Sequence, residues 1–159
     1  MGRLSGTLII AAVGKMKHKQ LQAIQADYLK RLRHYTTIQL TETKDWFGRG
    51  MPDSVAIQRE GELLLKATED AHHLIALTPT GQTFSSPELA TFLQDKVEKY
   101  GKLAFLIGGP AGFSDEVLAV CHDQISLSRL TFPHELARII LLEQLYRACT
   151  ILNGESYHK

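Results

Sequence analysis

The sequence predicts an α/β domain, a mostly parallel sheet with helices on both faces. Two observations carry this. Short apolar runs, Thr7–Val13, His73–Leu77 and Leu103–Ile107, have the length of strands and the uniform hydrophobicity of strands buried on both sides. Segments with helical spacing separate them, so strand and helix alternate, β-α-β-α-β-α-β-α-β-α, and that order implies parallel pairing under two layers of helix.

The elements follow in order. Met1–Gly6 is a short polar extension. Thr7–Val13 is a buried strand ended by Gly14, with Lys15, Lys17, His18 and Lys19 just beyond it. Apolar residues at 21, 24, 28, 32 and 35 predict a helix over Gln20–Tyr35, whose other face carries Lys30, Arg31, Arg33 and His34. Thr37–Thr41 alternates as a half-buried strand. A polar loop over 42–52 holds Trp46 and Phe47, either packed over the core or open to a partner. Asp53 or Ser54 can cap the helix that runs to about Thr68.

His73–Leu77 is the third strand, ended by the turn Thr78-Pro79-Thr80-Gly81. Ser85 and Glu88 have capping-box spacing, and Pro87 falls in the first turn of a helix running to about Tyr100. Leu103–Ile107 is the fourth strand, Ser114–Cys121 a short helix capped by Ser114, and Gln124–Leu127 the fifth strand. A long helix, His134–Leu152, stops at Asn153-Gly154.

The 159 residues fit one domain. Eighteen basic against 17 acidic side chains leave a net charge of +1, so a nucleic-acid partner would have to be met by a local patch. Cys121 and Cys149 lack C-x-x-C spacing and read as reduced thiols of a cytoplasmic protein. No apolar run reaches the roughly 20 residues of a membrane helix.

In open parallel sheets, ligands sit beyond the carboxyl ends of the strands. Leu77–Gly81, Gly108–Gly112 and Ser128–Pro133 all lie there. Gly108-Gly109-Pro110-Ala111-Gly112 is not a dinucleotide fingerprint, and neither a Walker lysine motif nor G-x-S-x-G is present. His134-Glu135-Leu136-Ala137-Arg138 begins like a zinc motif but ends in Arg, so no metal is expected. The glycine run is either a tight turn or a cradle in which positive φ lets a ligand lie against backbone. His134 is either a surface residue at a helix start or a functional group. Glu143 and Arg147 have ion-pair spacing. Tyr157, His158 and Lys159 are either a frayed end or an RNA-directed tail able to stack on a base and hold phosphate.

These residues carry a resemblance. Leu106–Gly112, Ser126–Ser128, Thr131–His134, Glu143–Ala148 and Tyr157–Lys159, with Ala12–Lys15 near the start, resemble the RlmH family of bacterial large-subunit rRNA pseudouridine N3-methyltransferases, in the SPOUT superfamily. The resemblance spans nearly the whole chain and is most specific in its last third. It implies a deep trefoil knot in the region 102–159, a homodimer, and S-adenosylmethionine as methyl donor. By position, Leu77, Gly108, Gly109, Ser128, Arg129, Leu130, Thr131, Phe132 and Pro133 match the family's cofactor-binding places. The implied substrate is a pseudouridine in a 23S rRNA stem-loop on the assembled ribosome.

The N3 of pseudouridine must lose a proton on methylation, which calls for a base or a stabilising cation. His134, Tyr157 and His158 are the candidates. Lys15, Lys17, Arg138 and Lys159 are the candidate RNA contacts. Two other readings are a non-catalytic ribosome-binding factor and a knotted methyltransferase acting on tRNA.

Overall fold

The computed structural model describes residues 4–159. Its strands are β1 (Thr7–Val13), β2 (Thr37–Thr43), β3 (His73–Thr83), β4 (Lys102–Ile107) and β5 (Asp123–Ser126). Its helices are α1 (Lys19–Leu32), α2 (Asp53–Ala67), α3 (Ser86–Tyr100), α4 (Asp115–Val120) and α5 (His134–Leu152). The strands form one sheet in the order β2-β1-β4-β3-β5, and every pairing is parallel. The first three residues of the expected extension lie outside the described residues. Leu4 is tied to the fold by its N–H, which donates to Tyr35 O.

Alternation along the central strands divides the core in two. Leu8, Ile10 and Ala12 of β1 and Leu103, Phe105 and Ile107 of β4 pack with residues of α1, α3 and α5. Ile9, Ala11 and Val13, with Ala104 and Leu106, pack with Leu64 of α2 and Val117 of α4 on the other face. Both faces of β1 and β4 are therefore buried, which is why their sequences read as unbroken apolar runs.

Local chemistry sets most element ends. The Ser85 hydroxyl accepts from Glu88 N–H and the Glu88 carboxylate accepts from Ser85 N–H, with Pro87 in the first turn of α3. Ser114 caps α4 through Val117 N–H. At α2 the expected cap is displaced: Pro52 holds the N-cap position, and Asp53 lies inside the first turn with no side-chain cap. The α1 stripe also differs, because Gln25, Leu29 and Leu32 are buried while Ile24 is 41% exposed. Gln25 faces the guanidinium of Arg138 at 3.5 Å, so a polar residue occupies the inner position.

β3 does not stop at Leu77. Leu77 and Gln82 both pair with Ile125, so Thr78–Gly81 is a bulge within a strand that continues to Thr83. A Cβ at Gly81 would lie 2.6 Å from the Ile125 carbonyl carbon. Only glycine lets the strand close up again there.

Arg138 is not an RNA contact. Its side chain is 1% exposed, and its guanidinium donates to Glu42 Oε2 at 2.6 Å and to Gly14 O at 2.8 Å. A group spent inside the fold cannot reach a solvent phosphate. The long helix that carries it packs against both α1 and α3. Those two helices cover much of its apolar surface, so its hydrophobicity does not by itself call for a second subunit. No helix of the described residues is long and apolar enough to cross a membrane.

Two predictions follow from this packing. Arg138→Ala takes the guanidinium away from the partly buried Glu42 carboxylate and from the Val13 and Gly14 carbonyls, and should cost about 3 kcal/mol in urea unfolding; a loss below about 1 kcal/mol would show that the pair is not structural. Cys121 and Cys149 are free, and burial pushes their thiols up to about 11 and about 12. The reactive thiolate is thus suppressed at neutral pH. Iodoacetamide at pH 8 should label the native protein far more slowly than the urea-unfolded protein, with labelling accelerating only at strongly alkaline pH.

Candidate functional site

The carboxyl ends of β3, β4 and β5 open into a cleft of about 510 Å³, within the size range of small-molecule sites. The β3 bulge, the glycine loop after β4 and the loop after β5 form its walls, and the first turn of α5 closes one side. Leu77, Gly108, Gly109, Ser128 and the run Leu130–His134 line it. Arg129 is exposed and is not part of the lining. The bulge residues Thr78, Pro79 and Thr80 also line it, and the Thr78 hydroxyl is buried with no partner in the fold. The turn after Leu77 was visible in sequence. The bulge that swings it into the cleft depends on the register with β5, which was not.

The glycine loop is shaped by contact distance. Gly112 takes φ +83° and donates its N–H to Gly109 O at 3.0 Å. A Cβ at Gly108 would lie 3.2 Å from the Gly112 backbone. Gly109 is not in the left-handed region, contrary to the expectation of positive φ there. Its constraint is space, since a Cβ would lie 3.2 Å from Val13 Cγ1 and 3.3 Å from Glu60 Oε1. After β5, Ser126 Oγ donates to Ser128 O and Ser128 Oγ accepts from Leu130 N–H, which folds the loop over the cleft. The walls are mostly apolar side chains and backbone edges, suited to a flat heteroaromatic group read by main-chain donors and acceptors.

His134 is the imidazole at the cleft edge, in the first turn of α5. Next to it, Glu135 Oε1 accepts from Lys17 N–H at 2.9 Å and His18 N–H at 3.2 Å. Burial alone would raise this carboxyl, but those two backbone donors and the nearby charge of Arg138 hold it below its ordinary value. It stays ionised and ties the segment after β1 to α5. Lys15 and Lys17 are exposed on that segment, Lys17 Nζ lying 3.8 Å from Asp45.

The tail is docked, not frayed. Tyr157 donates its hydroxyl to Glu143 Oε2 at 2.9 Å, its ring meets Tyr146 edge-on, and the Arg147 guanidinium lies over it at 4.8 Å. His158 Nδ1 is 3.3 Å from Arg147, while Lys159 is exposed. Upstream, Tyr35 donates to Glu155 at 2.6 Å. The Glu143–Arg147 pair exists at 3.1 Å, with Tyr157 as a third member. Burial and the Glu143 carboxylate raise the Tyr157 phenol, so at neutral pH it is a donor and not a base. Thirteen residues of helix separate His134 from Arg147, about 20 Å at 1.5 Å per residue. Within one chain, His134 is at the cleft and Tyr157, His158 and Lys159 are not.

Comparison with known proteins places this architecture. The family described as "Predicted SPOUT methyltransferase" matches residues 7–158. The chain is 42% identical over 160 residues to the ribosomal RNA large subunit methyltransferase H of Heliobacterium modesticaldum, covering 94% of this chain and 97% of that protein. It is 42% identical over 156 residues to the protein of the same name from Listeria welshimeri, covering 94% and 98%. Among solved structures, a probable methyltransferase from Bordetella pertussis matches with a TM-score of 0.57 at 14% identity, over 92% of this chain and 98% of that one, a likeness of fold. The chain therefore belongs to the SPOUT methyltransferase family, among the ribosomal RNA large subunit methyltransferases H.

Proposed function

We propose that this protein transfers a methyl group from S-adenosylmethionine to N3 of a pseudouridine in a 23S rRNA stem-loop, on the assembled ribosome, as a cytoplasmic homodimer. The observation that carries the reading is the cleft: backbone-edged, nearly uncharged and built from the same three strand-end loops that the family resemblance marks. The glycine cradle, the apolar wall at Leu130 and Phe132 and the unspent Thr78 hydroxyl suit an adenosyl group and its polar substituents. The donor supplies an electrophilic sulfonium methyl. The protein's task is to hold N3 in line with it and to manage the N3 proton.

His134, the imidazole in the cleft lining, is the side chain we assign to take that proton. Tyr157 is a hydroxyl donor suited to a uracil carbonyl, and His158 and Lys159 are suited to phosphate or to the developing N3 anion. Lys15 and Lys17 lie beside the α5 start and are the proposed backbone contacts. The docked tail is too far from its own cleft to act there without leaving its seat, and this supports delivery of each tail to the partner's cleft. The region 102–159 is where we infer the family's knot, supported by β5 pairing on the side of β3 away from β4.

Ribosomes from cells lacking this gene should accept labelled methyl groups from S-adenosylmethionine, and mass mapping should find the label on one pseudouridine of 23S rRNA. Tight ribosome binding without incorporation would instead favour the binding-factor reading, and label on tRNA the tRNA reading.

Subunit mixing addresses the tail. Gly109→Val drives a branched side chain against Val13 and Glu60 behind the cradle, which should displace the glycine loop and abolish donor binding in calorimetry while keeping its own tail. Deletion of Ser156–Lys159 removes the tail and leaves the cleft. Each parent dimer should be inactive, yet an equal mixture after subunit exchange should recover roughly a quarter of the wild-type rate, from heterodimers with one complete site. No recovery in verified heterodimers would place the tail in its own subunit's site.

A further inference from the structure

The loop between β2 and α2 lies at the same edge of the sheet as the cleft, and its role is legible in its side chains. Lys44 Nζ is 4.1 Å and Arg59 Cζ 4.8 Å from the centre of the Trp46 ring. Phe47 beside it is 38% exposed. The nearby carboxylates are already engaged. Asp45 takes Arg49 at 2.8 Å and Lys17 at 3.8 Å. Glu42 takes Arg138 at 2.6 Å. Glu60, 1% exposed, accepts from Trp46 N–H at 2.8 Å and Phe47 N–H at 3.1 Å. Among the described residues, Lys44, Arg59 and Lys15 have no acidic partner. Two aromatic rings thus share one surface with two cations, Lys44 and Arg59, that have no acidic partner.

The surface is fixed relative to the cleft. Glu60 grips the loop with Oε2, and its Oε1 lies 3.3 Å from the Cβ position at Gly109, in the cleft lining. One buried carboxylate therefore sits between the glycine cradle and the aromatic loop.

Resting on the reading of this protein as an rRNA methyltransferase, we propose that Trp46 and Phe47, with Lys44 and Arg59, form the docking surface for RNA flanking the methylated nucleotide. An unpaired base stacks on an aromatic ring, and the two cations, held over Trp46 in the free protein, turn to the adjacent phosphates. Exposed cation–aromatic contacts are weak, whereas base stacking and phosphate neutralisation are stronger and tolerant of sequence. The uncompensated positive charge favours a polyanion over a protein surface.

The test is steady-state methylation of ribosomes, with fold and donor binding followed in parallel. Trp46→Ala should raise KM for ribosomes about tenfold, while kcat at saturation, calorimetric affinity for S-adenosylmethionine and thermal midpoint stay near wild type. Trp46→Phe should recover most of the loss. Lys44→Ala/Arg59→Ala should reduce the slope of log affinity against log salt by about 2. With p-benzoyl-phenylalanine introduced at Phe47, photo-crosslinks should fall on 23S rRNA. An unchanged KM for Trp46→Ala beside an active wild type overturns the loop's role alone, as do crosslinks confined to ribosomal protein. Loss of donor binding or of the fold in Trp46→Ala makes the loop structural and also overturns it. A wild type that methylates no RNA removes the reading beneath it, and the loop's role with it.

Discussion

The buried guanidinium of Arg138 is the constraint on which the working edge of this protein depends. It projects from the second turn of α5 into the carboxyl end of the sheet, where it meets Glu42 of β2 and the carbonyl of Gly14 after β1. Glu42 also accepts from Met16 N–H at 2.8 Å, so the turn after β1 is held from both sides. An isolated charge at this depth would be prohibitive; paired and hydrogen-bonded, it is tolerated and gives direction to the packing. Glu135, three residues earlier on the same helical face, grips Lys17 and His18. Through these contacts the start of α5, and with it His134, keeps a set position relative to β1.

The cleft beside this clamp owes its shape to backbone more than to charge. Gly108 and Gly109 cannot carry side chains without crowding Gly112, Val13 or Glu60. The β3 bulge and the Ser128 turn bring further main chain inward. Such a site distinguishes ligands by shape and by hydrogen-bond direction, which suits a neutral heteroaromatic ring better than a multiply charged group. It also explains why no charged motif announced it. Glu60, buried between cleft and loop, touches both: its Oε2 accepts from Trp46 and Phe47 N–H, and its Oε1 faces Gly109.

The sheet was legible because β1 and β4 are buried on both faces and therefore uniformly apolar, and the start of α3 because its capping box lies within four residues. What escaped were pairings between distant parts of the chain. Arg138 looked like a free cation on an apolar helix, and its partner Glu42 lies 96 residues away. Gln25 displaced Ile24 from the inner face of α1 for the same reason. The glycine run was recognisable as a cradle, but which glycine needed the left-handed conformation depended on a bridge between Gly109 and Gly112 that pattern does not show. The ambiguity of Trp46 and Phe47 was real: their backbone is anchored inward on Glu60 while Phe47 remains exposed.

The tail is seated without distorting the helix beneath it. Tyr157 shares Glu143 with Arg147, and the carboxylate keeps Arg147 as a partner at 3.1 Å whether or not the tyrosine is present. Withdrawal of the tail therefore leaves no unpaired charge on α5. It costs two hydrogen bonds, Tyr157 to Glu143 and Arg147 to His158, and the ring contacts with Tyr146 and Arg147, interactions of a half-buried surface that are individually modest. While seated, the Tyr157 phenol is raised by burial and by the Glu143 carboxylate, so the group is a donor there. The segment is thus held by side-chain contacts on a helix already satisfied without it, so its seat and the integrity of α5 are separable.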